Sequence, residues 1–229
     1  MSISGLALGV IVSTLIAAAS IWARFLTRDG AAAAVLVGTP TIGFGGWGFA
    51  TMLGAFFVTS SLLTRWQRGR KTQAAPRTSR DAAQVLANGG VAAAFAVIWG
   101  LWRADAAAAG FAAALAAATA DTWATEVGLL NRRPPRLITT WQEVSPGRSG
   151  GVTGLGTAAA VAGAAVIGGI AGIVGVPVWI SWVTGVVAML LDSLLGATLE
   201  GGRGVTNDTV NFLATLFAAA AGAALRFAF

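Results

Sequence analysis

The chain has no cysteine and no histidine, and only 10% of its 229 residues are charged. Without cysteine there are no disulfides and no thiolate ligands, and without histidine there are no imidazole ligands. A metal used by this protein is therefore a hard cation held by oxygen, with magnesium the leading candidate. Charge is scarce while apolar residues are abundant: 56% are hydrophobic and the mean hydropathy is +0.75. That balance excludes an ordinary soluble domain and reads as an integral membrane protein.

About 20 apolar residues cross ~30 Å of hydrocarbon at ~1.5 Å rise. Runs of that kind occupy 3–23, 46–64, 82–102, 106–128, 152–175, 178–199 and 209–228. The expected fold is all-α: a polytopic bundle of about seven transmembrane helices forming a single domain over 1–229. The segment 30–45, GAAAAVLVGTPTIGFG, is interrupted by Pro40 and several glycines and reads either as re-entrant or as a broken span. The first run lacks a positive n-region and a small-residue cleavage site, so it reads as a retained helix.

The net charge of +6 would suit a nucleic-acid binder, but the cations cluster in short loops between spans. Arg65, Arg68, Arg70, Lys71, Arg77 and Arg80 lie in 65–80, Arg132, Arg133, Arg136 and Arg148 in 131–150, and Arg203 follows the sixth span. The positive-inside rule accounts for this pattern and places the three loops in the cytoplasm, with no role for nucleic acid. Two spans separate each loop from the next, so all three fall on one face. The turns near 103–105 and 175–178 fall on the other.

Most acidic and amide residues map to that same face. Asp81 and Asn88 open the third span, Asp121 and Glu126 close the fourth, Asp192 and Glu200 close the sixth, and Asn207, Asp208 and Asn211 open the seventh. Asp29 and Asp105 stand apart, beside turns. Asp81 and Asp208 read equally well as helix caps. Asp121 and Asp192 do not, because each sits among apolar neighbours toward a helix C-terminus, where the dipole disfavours an anion. Such carboxylates call for a cation: Mg²⁺, or arginine partners within the bundle. Asp121 and Glu126 project ~140° apart on a helix, so ligands from several helices are expected.

The stretch 138–157, ITTWQEVSPGRSGGVTGLGT, interleaves glycines with Ser149, Thr153 and Arg148 and runs into a helix. Glycines admit close backbone approach, hydroxyls add donors, and a helix N-terminus with an arginine fork favours phosphate. It is not a Walker A loop, and glycine-rich loops alone are a weak signal. RDAAQVLANGG (80–90) and NDTVNFLATL (207–216) share a short pattern, consistent with a repeat or with chance.

ADTWATEVG, ITTWQEVSPGRSGG with VTGLGT, LLDSLLGATLEG, NDTVNFL and QVLANGG, taken together, resemble the integral membrane family that includes transmembrane protein 19 and plant phytyl-phosphate kinase. That family is distantly similar to dolichol kinase, phytol kinase and phosphatidate cytidylyltransferase, whose acidic motif and Ser/Gly loop match Asp121–Glu126 and Ser149–Gly151. The resemblance implies phosphoryl transfer from a nucleoside triphosphate, CTP foremost, to an isoprenoid monophosphate such as phytyl or geranylgeranyl phosphate, at the cytoplasmic side of the cell membrane. Under it, Asp121, Glu126 and Asp192, then Asp208, hold Mg²⁺. Ser149, Gly150, Gly151 and Thr153 hold the triphosphate with Arg148. Arg132, Arg133 and Arg136 meet phosphates at the surface, while Asn88, Asn207 and Asn211 line the site. The lipid tail enters from the bilayer between helices. A membrane cytidylyltransferase or prenol kinase would share this nucleotide site. An ion- or proton-coupled transporter would instead spread polar residues through the membrane depth. Which isoprenoid, which nucleotide and which oligomeric state are left open.

Overall fold

The computed structural model describes residues 3–66, 79–200 and 204–229. Arg68, Arg70, Lys71, Arg77 and Arg203, counted above among the loop cations, lie outside the described residues. The elements run α1 (Ile3–Trp22), α2 (Arg28–Trp66), α3 (Ala82–Trp102), α4 (Asp105–Gly128), β1 (Arg136–Leu137), β2 (Gly151–Val152), α5 (Gly154–Ile173), α6 (Val178–Leu199) and α7 (Asn207–Ala228). This is the expected polytopic all-helical membrane bundle. Six of the helices, all but α4, are long and apolar enough to cross a membrane.

The segment 30–45 is helical throughout, as the first leg of α2. Gly46, with φ 64° and ψ −158°, interrupts α2 with a backbone conformation that is essentially glycine's alone. The two legs, 28–45 and 47–66, run in opposite directions. Leg 28–45 lies antiparallel to α1, with Gly38 against Ser13 and Gly43 against Leu6. Leg 47–66 runs parallel to α4, with Phe49 stacked on Phe111, Trp123 Nε1 donating to Thr59 and Thr64 beside Glu126. At about 18 residues and ~1.5 Å rise, leg 28–45 is about 27 Å long, nearly the hydrocarbon thickness. Of the glycines that suggest a break, Gly38 and Gly43 serve close packing on α1, while Gly30 lies against the Arg80 carbonyl.

These contacts sort the helix ends onto two faces. On one, here the polar face, the Arg65 guanidinium donates to the Ala23 carbonyl, Leu26 bridges to Arg80, and Gly150 packs on Ala197. The loops leaving 66, 128 and 199 all start there, as the loop spacing requires. Asp29 joins this face as well: its Oδ2 accepts from the Ala82 amide, correcting its assignment as an outlier. The other face carries the Arg226–Asp105 ion pair at 2.8 Å and Arg103 over Trp99.

Helix α4 stands at the centre, packed by α2, α3, α5, α6 and α7. Every residue from Ala107 to Ala120 is buried. Lipid offers no hydrophobic drive for helices to associate, so close backbone approach through small residues does that work. Gly185 meets Ala116, Gly222 meets Ala113, and Gly163 meets Thr119 and Trp123. An alanine-rich α4 surrounded by glycines is what such packing demands, and the acids at its end are thereby held at the bundle axis.

Candidate functional site

The chain between α4 and α5 folds as a small hairpin. β1 and β2 pair antiparallel, Arg136 opposite Val152 and Leu137 opposite Gly151, and the Ile138 amide donates to the Gly150 carbonyl. Gly147 and Gly150 adopt φ of 86° and 77°. A Cβ on Gly150 would lie 2.8 Å from the backbone N and Cα of Ala197, so the loop sits directly on the end of α6. The amides of Gly147, Ser149 and Gly150 donate to no other described residue. Thr153 caps α5 by accepting from the Gly156 amide at 3.0 Å.

Beneath this loop lies a first chamber of about 160 Å³. Its wall brings together Arg148, Ser149, Gly150, Gly151 and Thr153 with Asp121, Asp192 and Glu200, and Arg133 reaches it as well. The carboxylates of Asp121, Asp192 and Glu200 lie within electrostatic reach of one another. Asp192 is buried, and its Oδ2 has no hydrogen-bond partner among the described residues.

A second chamber of about 150 Å³ opens on the other side of α4, lined by Ser61, Thr64, Arg80, Gln84, Asn88, Glu126 and Asn211. Asp121, Thr125 and Asn207 border both chambers and form the partition between them. Below the partition Asn88, Asp121, Asp192 and Asn211 converge on one small gap. Glu126 is buried and its Oε1 accepts from the Thr64 hydroxyl at 2.8 Å. Burial pulls the Arg80 guanidinium down to about 10, and the Glu126 carboxylate works against that pull. Arg80 is therefore a cation at neutral pH.

The acids expected to act together meet through Asp121, which shares the second chamber with Glu126. Asp121 and Asp192 share the first chamber, Glu126 faces the second, and Asp208, in the first turn of α7, lines neither. Among the described residues no three carboxylates form a ready-made metal cage. Mg²⁺ does not need one, since it is commonly held by one or two carboxylates plus substrate phosphates. The Asp121–Asp192 pair, with one buried Asp192 oxygen that has no hydrogen-bond partner among the described residues, suits a hard cation.

Among the cations, Arg136 is engaged by its own hairpin, bonded to Glu143 at 3.3 Å and to the Trp141 carbonyl, while Arg132 is exposed and lines neither chamber. Asp81 caps α3, accepting from the Gln84 amide at 3.0 Å. Sequence reasoning missed Arg80, Gln84 and Thr64 as site residues. The shared pattern of 80–90 and 207–216 held the signal: Arg80 and Gln84 correspond to Asn207 and Asn211, and all four line the second chamber, whereas Asp81 and Asp208 do not.

The family described as "Integral membrane protein DUF92" matches residues 11–219. "Uncharacterized membrane protein MJ0933" of Methanocaldococcus jannaschii is 32% identical over 197 residues, 84% of this chain and 82% of that protein. "Protein PGR" of Arabidopsis thaliana is 32% identical over 225 residues, 83% of this chain and 77% of that protein. "Uncharacterized membrane protein sll0875" of Synechocystis is 31% identical over 191 residues, 76% and 72% respectively. No solved structure matches. With nearly the whole chain matched and relatives above 30% identity over most of their length, this chain belongs to the DUF92 family of integral membrane proteins.

Proposed function

We propose that the protein transfers the γ-phosphoryl group of a nucleoside triphosphate, CTP foremost, to an isoprenoid monophosphate at the cytoplasmic face of the cell membrane. One observation carries this reading. Two polar chambers meet at Asp121, one roofed by a glycine loop with undonated amides, the other holding a buried arginine. A phosphoryl donor and a phosphoryl acceptor need such a pair of anion sites with a shared wall. The orientation follows from charge: among the described cations only Arg103 and Arg226 lie on the opposite face.

Phosphoryl transfer asks a protein mainly for positioning and for neutralisation of charge. The amides of Ser149 and Gly150, the Ser149 hydroxyl and the α5 N-terminus beyond Thr153 bind the triphosphate, with Arg148 and Arg133 as cations at the mouth. Asp121 and Asp192 would hold Mg²⁺, which when bound offsets the negative charge of the triphosphate. Asn207 and Thr125 line the partition on which the acceptor phosphate is placed. An acceptor phosphate oxygen forms a bond to the γ-phosphorus as the bond to the β,γ-bridging oxygen breaks. The products are CDP and the prenyl diphosphate. The acceptor is already ionised at neutral pH, so no general base is required, in keeping with a chain that has no histidine.

The test is incubation of purified protein and Mg²⁺ with a panel of prenyl monophosphates and each of the four nucleoside triphosphates. Diphosphate formation is read by mass spectrometry. Conversion of a prenyl monophosphate supports the reading; no conversion with any pairing, from protein that binds both ligands, overturns it.

A further inference from the structure

An apolar groove of about 260 Å³ lies between α1, both legs of α2 and α3. Its lining includes Ile16, Val37, Leu53, Phe57 and Val85, and Arg80 is its one charged residue among those described. Gly54 opens the groove, since a Cβ there would meet nothing within 4 Å. Ile16 and Trp47, at its edges, are exposed on the bundle surface that faces lipid.

Arg80 also lines the second chamber, so the groove and the chamber meet at this side chain. The residue is pinned from both directions: its amide donates to the Phe25 carbonyl and its carbonyl accepts from the Thr27 amide. Its guanidinium, on a residue only 8% exposed, lies 5.1 Å from the Phe56 ring and donates no hydrogen bond to another described residue. A guanidinium that borders both cavities and donates to no other described side chain offers its N–H fork to a ligand there, and a phosphate supplies oxygens that match it.

We infer that Arg80 anchors the phosphate of a single-chain isoprenoid monophosphate whose tail lies in the groove between α1, α2 and α3. The site rests on the phosphoryl-transfer reading for the identity of its ligand. Gln84 and Asn88, one and two turns along α3 in the same chamber, add neutral donors to the phosphate. The acceptor thus enters from the bilayer on the side of α4 away from the glycine loop, and its head comes to Asp121 from the second chamber. One cation at the head of one groove fits a single chain, where a phospholipid brings two.

Equilibrium binding of geranylgeranyl monophosphate and of geranylgeraniol to the detergent-purified protein, without nucleotide, tests the inference. Arg80→Gln is expected to weaken monophosphate binding at least ten-fold and leave the alcohol unchanged, while Arg80→Lys, keeping charge but losing the fork, falls between. Gly54→Leu, which fills open space, is expected to weaken both ligands at least ten-fold with the unfolding temperature retained. Monophosphate affinity within two-fold of wild type in a folded Arg80→Gln protein overturns the headgroup assignment, and unchanged affinities in Gly54→Leu overturn the groove. Should Arg80→Gln not fold, Arg80→Lys decides, its expected loss being several-fold for the monophosphate alone. Equal competition by a two-chain phosphatidic acid would overturn the single-chain assignment. Binding through Arg80 without conversion counts against phosphoryl transfer and leaves this site standing. Conversion by a protein whose binding ignores Arg80 does the reverse.

Discussion

Gly147→Ala and Gly150→Ala should differ sharply, although both glycines have positive φ, 86° and 77°. Alanine in that region costs roughly 1–2 kcal/mol of backbone strain at either position. At Gly147 the added methyl meets nothing within 4 Å, so strain is the whole effect. At Gly150 it would sit 2.8 Å from the backbone N and Cα of Ala197, atoms that cannot rotate away. The loop must lift from α6, and overpacking of this kind adds about 1–3 kcal/mol. Because the Ser149 and Gly150 amides are the ones offered to the triphosphate, the displacement should fall on nucleotide binding. A nonhydrolysable CTP analogue should bind Gly147→Ala within roughly ten-fold of wild type, and Gly150→Ala roughly a hundred-fold or more weaker, at ~1.4 kcal/mol per factor of ten. Ala197→Gly should rescue Gly150→Ala only in part, since the backbone contacts remain. Titration of the nonhydrolysable analogue into each purified variant, with affinity for a prenyl monophosphate measured in parallel, gives the answer. Equal effects of the two glycine variants, or a loss confined to the lipid, would refute the reasoning.

Asp192→Asn and Asp121→Asn should each abolish turnover without loss of insertion. Near wild-type activity in either variant would remove that residue from the site. Gly46→Ala should destabilise by ~1–3 kcal/mol through backbone strain alone, as its methyl meets nothing within 4 Å, and an unchanged unfolding midpoint would show that the reversal between the legs of α2 does not depend on glycine. Gln142→Cys, exposed on the polar face of a chain with no native cysteine, should resist an impermeant thiol reagent in intact cells and react after lysis. Labelling of intact cells would invert the orientation. Gln73 would serve the same purpose by sequence position but lies outside the described residues.

The spans were legible because runs of about 20 apolar residues have few alternatives to crossing a bilayer. Leg 28–45 was not, because the signals that end a soluble helix have a second use here: Gly38 and Gly43 admit α1, and one further glycine, Gly46, turns the chain back. Asp121 and Asp192 stood out because a carboxylate among apolar neighbours at a helix C-terminal half is electrostatically anomalous. Which carboxylates share a chamber was not readable, since that depends on how α4 and α6 are rotated against each other. The glycine loop was visible as composition, but its seat on Ala197 is a tertiary contact. Arg80 was hidden among loop cations that the positive-inside rule already explained, and only its burial sets it apart. Arg136 was attractive by position, yet the pairing with Glu143 that occupies it depends on the hairpin.

The central claim is that the two chambers exchange a γ-phosphoryl group across Asp121. Purified protein given geranylgeranyl monophosphate with Mg²⁺ and either γ-labelled or α-labelled CTP tests it most directly. Label is expected in the prenyl diphosphate from γ-labelled CTP alone, with CDP as the other product and no transfer in Asp121→Asn. Label in the lipid from α-labelled CTP, with pyrophosphate released, would contradict it and make the protein a cytidylyltransferase.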